Sequence, residues 1–341
     1  MPVSPEKDAG SPLTCKVSTT PSVLLYLSNA EIQDLKIPPR EAREAVLAAF
    51  RDNVAGRNIS LPKSSIDIAP GHMFQTMSSA SEAGGIAVAK WITVAPVDGT
   101  SGTYGINGLI CASDYKTGLP IAILDGNFIT LIRTAAMSAA AATYLAPEAP
   151  LTIGLVGCGS QALSHLDAFA DLFPSLRRIY LLSRSTTSAE RLAAAALQKG
   201  LDPIIATDPD TLLSHSDIVV SMVPRSPDSQ PFLDARSLPS WSFVSAVDAG
   251  WTWHPETLTV FDRLVTDCLQ QTPSPLDASG RPVETVRFHD DLGHVASDAS
   301  RTGAPMRAMF CFRGFAIADL AVTELVIRKA RVAKVGTILA R

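Results

Sequence analysis

Charge is scarce in this chain. Asp, Glu, Lys and Arg make up 18% of the 341 residues and nearly cancel, leaving a formal net charge of −4. Lys and Arg are spread thinly and not interleaved with aromatics, so the electrostatic footprint of a nucleic-acid binder is missing. Cysteine is scarce as well: residues 15, 111, 158, 268 and 311 are odd in number and scattered. That excludes a disulfide framework and a cysteine metal cluster, and a reducing cytoplasm is the expected location. No metal ligand set is expected either. His289 and His294 are the nearest histidine pair and lack His or Cys partners at metal spacing, and His72, His165, His215 and His254 read as surface or locally bonded residues. No uninterrupted apolar run reaches about 18 residues, so no membrane span is expected. Residues 1–22 are rich in Ser, Thr, Pro and Lys without the apolar core of a secretion signal, and read as a disordered tail.

What is present is a 46% hydrophobic chain, long enough for two domains with real cores. The most informative segment is the apolar run Leu151–Val156 followed by Gly157-Cys158-Gly159-Ser160-Gln161-Ala162. A buried parallel strand reads as a continuous apolar run. Glycines after it admit a pyrophosphate, and a helix from about Gln161 offers its N-terminal N–H groups. The last glycine of the dinucleotide fingerprint is replaced by Ala162, so the motif alone is weak. Further apolar runs at 203–206, 217–223, 242–247 and 264–265, with helical patterns between several of them, call for a parallel, doubly wound sheet. After the next strand, Arg178–Leu182, come Ser183-Arg184-Ser185, with no acid until Glu190. Cations and hydroxyls there suit a ribose 2′-phosphate, so NADP(H) is the preferred cofactor and NAD(H) remains possible.

Ahead of that unit, residues 40–56 pattern as a helix stopped by Gly56. Ile86–Val94 has period two, with Lys90 on the same face as Ile86, Val88, Ile92 and Val94. An ammonium among aliphatics needs a partner, a lowered basicity or an open cleft, which makes Lys90 a functional candidate; a lysine reaching out to solvent is the other reading. Residues 108–125 read as a hairpin turning at Gly118. An Ala-rich helix over 131–145 places Arg133 and Thr134 near its start, where a guanidinium grips a carboxylate or makes a structural salt bridge. The glycine-rich stretch 98–108 is assigned no chemistry.

Lys90 in its apolar strand, Thr117-Gly118-Leu119-Pro120, Leu131-Ile132-Arg133-Thr134-Ala135-Ala136, the 157–162 loop and Gly314-Phe315-Ala316-Ile317-Ala318-Asp319-Leu320 follow one another in the order of a known family. From about residue 24 to the C-terminal helix the chain resembles the ornithine cyclodeaminase and mu-crystallin family. The resemblance implies an α/β protein: a doubly wound Rossmann domain at 147–302, and an α+β substrate-binding and dimerisation domain from 23–146 with 303–341. It implies a homodimer, an active-site lysine at Lys90, a substrate-carboxylate arginine at Arg133, and cofactor contacts at Thr134 and the 157–162 loop. Three departures stand out. Lys63 occupies a place where many members carry an arginine. The segment Ser245–Trp251 has its acid, Asp248, two places earlier than the family does, and Phe310-Cys311-Phe312-Arg313-Gly314 replaces a more polar pattern.

The expected activity is NADPH-dependent reduction of cyclic or linear 2-imino acids to L-amino acids, or the reverse dehydrogenation. An ornithine-type cyclodeaminase recycling bound NAD(P) and a non-catalytic binder of NADPH and a small ligand are the alternatives. Candidate catalytic residues are Lys90 and Asp248, and candidate substrate contacts are Lys63, Met77, Lys90 and Arg133. Candidate cofactor contacts are Arg133, Thr134, Gly157, Gly159, Ser160, Gln161, Ala162, Ser183, Arg184, Ser185, Met222 and Val223. Trp251 and Trp253 either wall the pocket or pack in the core.

Overall fold

A computed structural model describes residues 23–69, 72–95, 105–226, 228–298 and 306–341. The expected tail, residues 1–22, and most of the glycine-rich 98–108 stretch lie outside the described residues. In chain order the first unit contains β1 (Val23–Leu27), α1 (Asn29–Asp34), α2 (Pro39–Val54), β2 (Asn58–Ser60), β3 (Ser64–Ala69), β4 (His72–Ser81), β5 (Ile86–Val94), β6 (Ile106–Asp114), β7 (Pro120–Asp125) and α3 (Asn127–Leu145). The second contains β8 (Thr152–Val156), α4 (Ser160–Leu172), β9 (Arg178–Leu182), α5 (Thr186–Gln198), β10 (Asp202–Ile205), α6 (Pro209–Ser214), β11 (Ile218–Ser221), β12 (Ser242–Ala246), β13 (Arg263–Thr266), β14 (Asp290–Asp291), α7 (Leu292–Ser297) and β15 (Arg307–Cys311). The chain then returns through α8 (Ala316–Ala333) to β16 (Thr337–Ala340).

The second unit is a wholly parallel sheet in the order β10-β9-β8-β11-β12-β15-β13-β14. It is the doubly wound arrangement the alternating apolar runs require. One expectation is corrected here. The family resemblance places the chain from residue 303 in the first unit, but Arg307–Cys311 inserts between β12 and β13 of the second sheet. The return to the first unit therefore begins after Cys311.

The first sheet runs β16-β1-β7-β6-β5-β4-β2, with β3 beside β4, and is antiparallel except for the β1–β7 pair. Its inner face meets α2, α3 and α8 in a core that is continuous with the β8–β9–β11 side of the second sheet. Helix α3 is long and apolar enough to cross a membrane by composition, yet most of it is buried between the two units. Its alanines allow that: with no side chain beyond Cβ, the backbone can approach α2, α4 and α8 closely. The helix starts at Asn127, not 131, so Arg133 lies almost two turns inside it and the expected help from the helix N-terminus does not apply.

Candidate active site

Strand β5 buries Ile86, Val88, Lys90 and Ile92 and leaves Ala89 and Trp91 exposed, as a period-two strand on a core must. Register pairs Lys90 with Met77 on one side and Ile110 on the other, both buried. An ammonium held there without a partner would cost several kcal/mol, roughly that of any uncompensated buried ion. The partner comes from α8. Lys90 Nζ lies 2.7 Å from Asp319 Oδ1, and 3.4 Å from Thr130 Oγ1. Arg133 Nε stands 3.3 Å from the same carboxylate oxygen, while Asp319 Oδ2 has no hydrogen-bond partner. Burial pushes the Lys90 ammonium down to about 8, opposed by Asp319 and assisted by Arg133 and Lys63. Lys90 thus sits inward, and the solvent-reaching alternative is excluded.

Lys63, in the turn between β2 and β3, donates to the carbonyl of Arg313. Burial and the Arg313 guanidinium bring its pKa down to about 8, with Asp267 pulling the other way. A Cβ on Gly314 would lie 3.8 Å from Met77 Cε and 3.9 Å from Lys63 Nζ, so Met77, Lys63 and the 313–314 turn meet at one point. That turn is held from the second unit: Asp267 accepts from the backbone N–H of Arg313 and Gly314, and Gln271 Nε2 donates to Gly314 O. The structure therefore gathers Lys63, Met77, Lys90 and Arg133 beside the passage from β15 to α8.

Asp319 and Asp267 were not singled out from sequence as site residues, although each has a local signal. Asp319 is an acid in an otherwise apolar helix turn, and Asp267 directly follows a strand, where parallel sheets line their ligand crevice. Burial raises the Asp267 carboxyl, and the two backbone N–H donors oppose it.

Asp248 is placed differently. Its carboxylate accepts from Ser221 Oγ at 3.1 Å, Gly250 N at 3.1 Å and Thr252 Oγ1 at 2.8 Å. It clasps the end of β11 to the loop after β12, and burial raises it to about 6 against those hydrogen bonds. Gly250 has φ +91°, and a Cβ there would meet Pro275 Cβ at 2.8 Å, so this loop leaves no room for a side chain two places later. Trp253 is fully buried and packs edge-on against Phe261, which settles it as core. Trp251 is also buried and donates its indole N–H to Val223 O.

The dinucleotide loop fits its expected ligand. Gly157 takes φ +94°, open to glycine, and a Cβ there would come within 3.1 Å of Met222 O. Nothing lies within 4 Å of a Cβ on Gly159, which leaves space before the first turn of the 13-residue α4 at Ser160 and Gln161. Ala162 is fully buried where it packs into the core, and Gln161 Oε1 is buried with no partner. Gly157 N donates to Leu182 O, so the loop adjoins the end of β9. There Ser183 Oγ accepts from Ser185 N, Ser185 caps α5, and Arg184 is exposed. Thr134 donates its hydroxyl to Thr130 O, within its own helix. At the surface, Asp290, Asp291 and His294 bring ligand atoms within 4.8 Å of one another, and Asp290 is already paired with Arg263.

A profile described as the ornithine cyclodeaminase/mu-crystallin family matches residues 25–334. The chain is 24% identical to an alanine dehydrogenase of Archaeoglobus fulgidus, over 92% of this chain and 97% of that protein. It is 25% identical to the ketimine reductase mu-crystallin of Rattus norvegicus, over 88% and 96%. The Δ1-pyrroline-2-carboxylate reductase of Thermococcus litoralis, solved with NADH and L-proline, superposes with a TM-score of 0.81 at 22% identity, covering 92% of this chain and 99% of that one.

Proposed function

The chain belongs to the ornithine cyclodeaminase/mu-crystallin family, and from that premise we propose that it is an NAD(P)H-dependent oxidoreductase that reduces 2-imino acids to L-amino acids, or runs the reverse. The observation that carries this reading is the buried cluster of Lys90, Arg133 and Asp319, set beside Lys63, with the Arg133 helix α3 packed against α4, the helix that follows the dinucleotide loop. Relatives named as reductases of a pyrroline carboxylate and of ketimines support a C=N substrate.

When bound, the nicotinamide supplies the hydride. Gly157, Gly159, Ser160 and Gln161 would hold its pyrophosphate, with Met222 and Val223 on the far side of the loop. Arg133 and Lys63 neutralise the substrate carboxylate, which draws electron density from the carbon beside it. Lys90 carries the proton for the imine nitrogen. An ammonium with a pKa near 8 is charged at neutral pH yet releases its proton readily, which suits a general acid. Asp319 orients that ammonium. Asp248 has its lone pairs taken up in the strand-end clasp and is a positioning residue here rather than the proton donor. Ser183, Arg184 and Ser185 favour NADPH over NADH.

A second copy of the chain completes the protein. Ile66, Ile68, Trp91 and Leu109 are exposed large apolar residues of the first sheet; Trp91 is the register partner of Leu109 and its ring stacks on Phe74. Such a patch marks an association surface. Sedimentation should show a dimer, and Trp91→Glu should shift it to monomer; a parent that sediments as monomer would remove the claim.

The activity is tested by following NADPH and NADH oxidation with cyclic imino acids, and with 2-oxo acids plus ammonia or an amine. Turnover with NADPH above NADH supports the reading. Ammonia release from ornithine without net cofactor change would replace it with cyclodeamination, and tight NADPH binding with no turnover on either panel would replace it with a binding protein.

A further inference from the structure

Ser138, His165 and Ser245 are wholly removed from solvent and form one hydrogen-bonded chain. Ser245 Oγ donates to Ser138 Oγ at 2.8 Å, Ser138 Oγ lies 2.9 Å from His165 Nε2, and His165 Nδ1 lies 2.8 Å from Gln161 O. A carbonyl only accepts, so Nδ1 carries the ring proton. Nε2 then accepts from Ser138, whose oxygen is left to accept from Ser245. The chain has a direction, and it needs a neutral ring. Burial supplies that, pushing the imidazole down to about 4.

Each element joined this way carries part of the site. Ser138 is one turn beyond Thr134 on α3, which also bears Arg133. Gln161 is in the first turn of α4, behind Gly157 and Gly159. Ser245 lies on β12, which runs into Asp248. Around the chain, α3 and α4 touch through Ala135, Ala139 and Ala168. Methyl groups interlock poorly and set the register of two helices weakly. A directional buried hydrogen bond sets it strongly, because a slipped register would leave buried polar groups unpaired.

We propose that His165 is a positioning residue that fixes the cofactor-binding helix against α3, so that the nicotinamide of a bound dinucleotide faces the Lys90, Arg133 and Asp319 cluster. The proposal rests on the dinucleotide reading given above.

Three variants test it. His165→Leu fills the space without an acceptor, Ser138→Ala removes the middle link at the cost of one atom, and His165→Gln keeps an acceptor for Ser138. The readouts are the Kd for NADPH, the emission spectrum of the bound nicotinamide, and Tm. For Leu and Ala, binding should weaken about tenfold, the size of effect one lost buried hydrogen bond supports, and the emission should move toward that of free NADPH. His165→Gln should recover most of both. A fall in Tm with parental Kd and emission would make the chain a packing feature only and overturn the proposal. A parent that binds no NADPH would overturn the dinucleotide reading, and this proposal with it, whereas parental binding unaffected by the variants would overturn this proposal alone.

Discussion

Lys90 on β5 and Asp319 on α8, 229 positions apart in sequence, meet at 2.7 Å with neither open to solvent. The carboxylate oxygen that holds the lysine also faces Arg133. Asp319 is thus a carboxylate shared by two cations buried side by side, and the consequences of removing either partner differ.

Asp319→Ala leaves Lys90 and Arg133 facing each other without the carboxylate they share. Urea unfolding should show a loss of about 3–5 kcal/mol, the usual effect of breaking a buried pair from one side. Lys90→Met should cost less, since Asp319 retains Arg133, while lowering kcat by about 10²–10⁴, the range for losing a general acid. Equal losses of stability would show that the carboxylate is not shared.

The pH profile of reduction should carry an alkaline limb near 8. Burial has moved the Lys90 pKa there from 10.5, and the reacting form is the ammonium, which is present below that value and lost above it. Asp319 pulls the pKa upward, so Asp319→Asn should move the limb to lower pH. Lys63 also titrates near 8. A limb unmoved in Asp319→Asn but altered in Lys63→Met would assign the titration to Lys63.

Asp248 titrates in the opposite sense for stability. Its pKa in the fold, about 6, lies above the ordinary 3.8, so its contribution to stability is fully present below about pH 3.8 and is lost as pH rises through 6. Asp248→Asn removes that loss. The difference in Tm, variant minus parent, should therefore rise between pH 4 and 7, and a flat or falling difference in calorimetry would contradict the buried-clasp assignment.

Arg184→Asp should raise the KM for NADPH about tenfold or more and leave that for NADH unchanged or lower, because the guanidinium pairs with a 2′-phosphate that only the former carries. A parallel rise for both cofactors would mean that Arg184 acts on a group they share.

Much of the fold was legible because its signals are local. The apolar runs at 151–156, 217–223 and 242–247 became parallel strands since buried strands carry little but apolar residues. Where local signals are weak, the boundaries of an element are not legible. The start of α3 has Gly126 as its N-cap, with no side-chain cap; Asp125 Oδ1 accepts from Asn127 N instead, so the signal sits one place before the usual cap position. Ala308-Met309-Phe310-Cys311 is a buried strand lying so close to the C-terminal helix that its membership of the second sheet was not apparent.

The sequence by itself determined that a dinucleotide unit follows a domain bearing a misplaced lysine, because strand periodicity and glycine placement are properties of neighbouring residues. It also determined that two serines and an arginine, with no acid, follow the end of β9. Only the tertiary structure decided what Lys90 is paired with, where Lys63 reaches, and that Asp248 spends its carboxylate on Ser221, Gly250 and Thr252. The physical reason is range: a helix or strand is set by residues a few positions apart, whereas a buried charge takes whichever partner the packing of distant elements brings within hydrogen-bond distance.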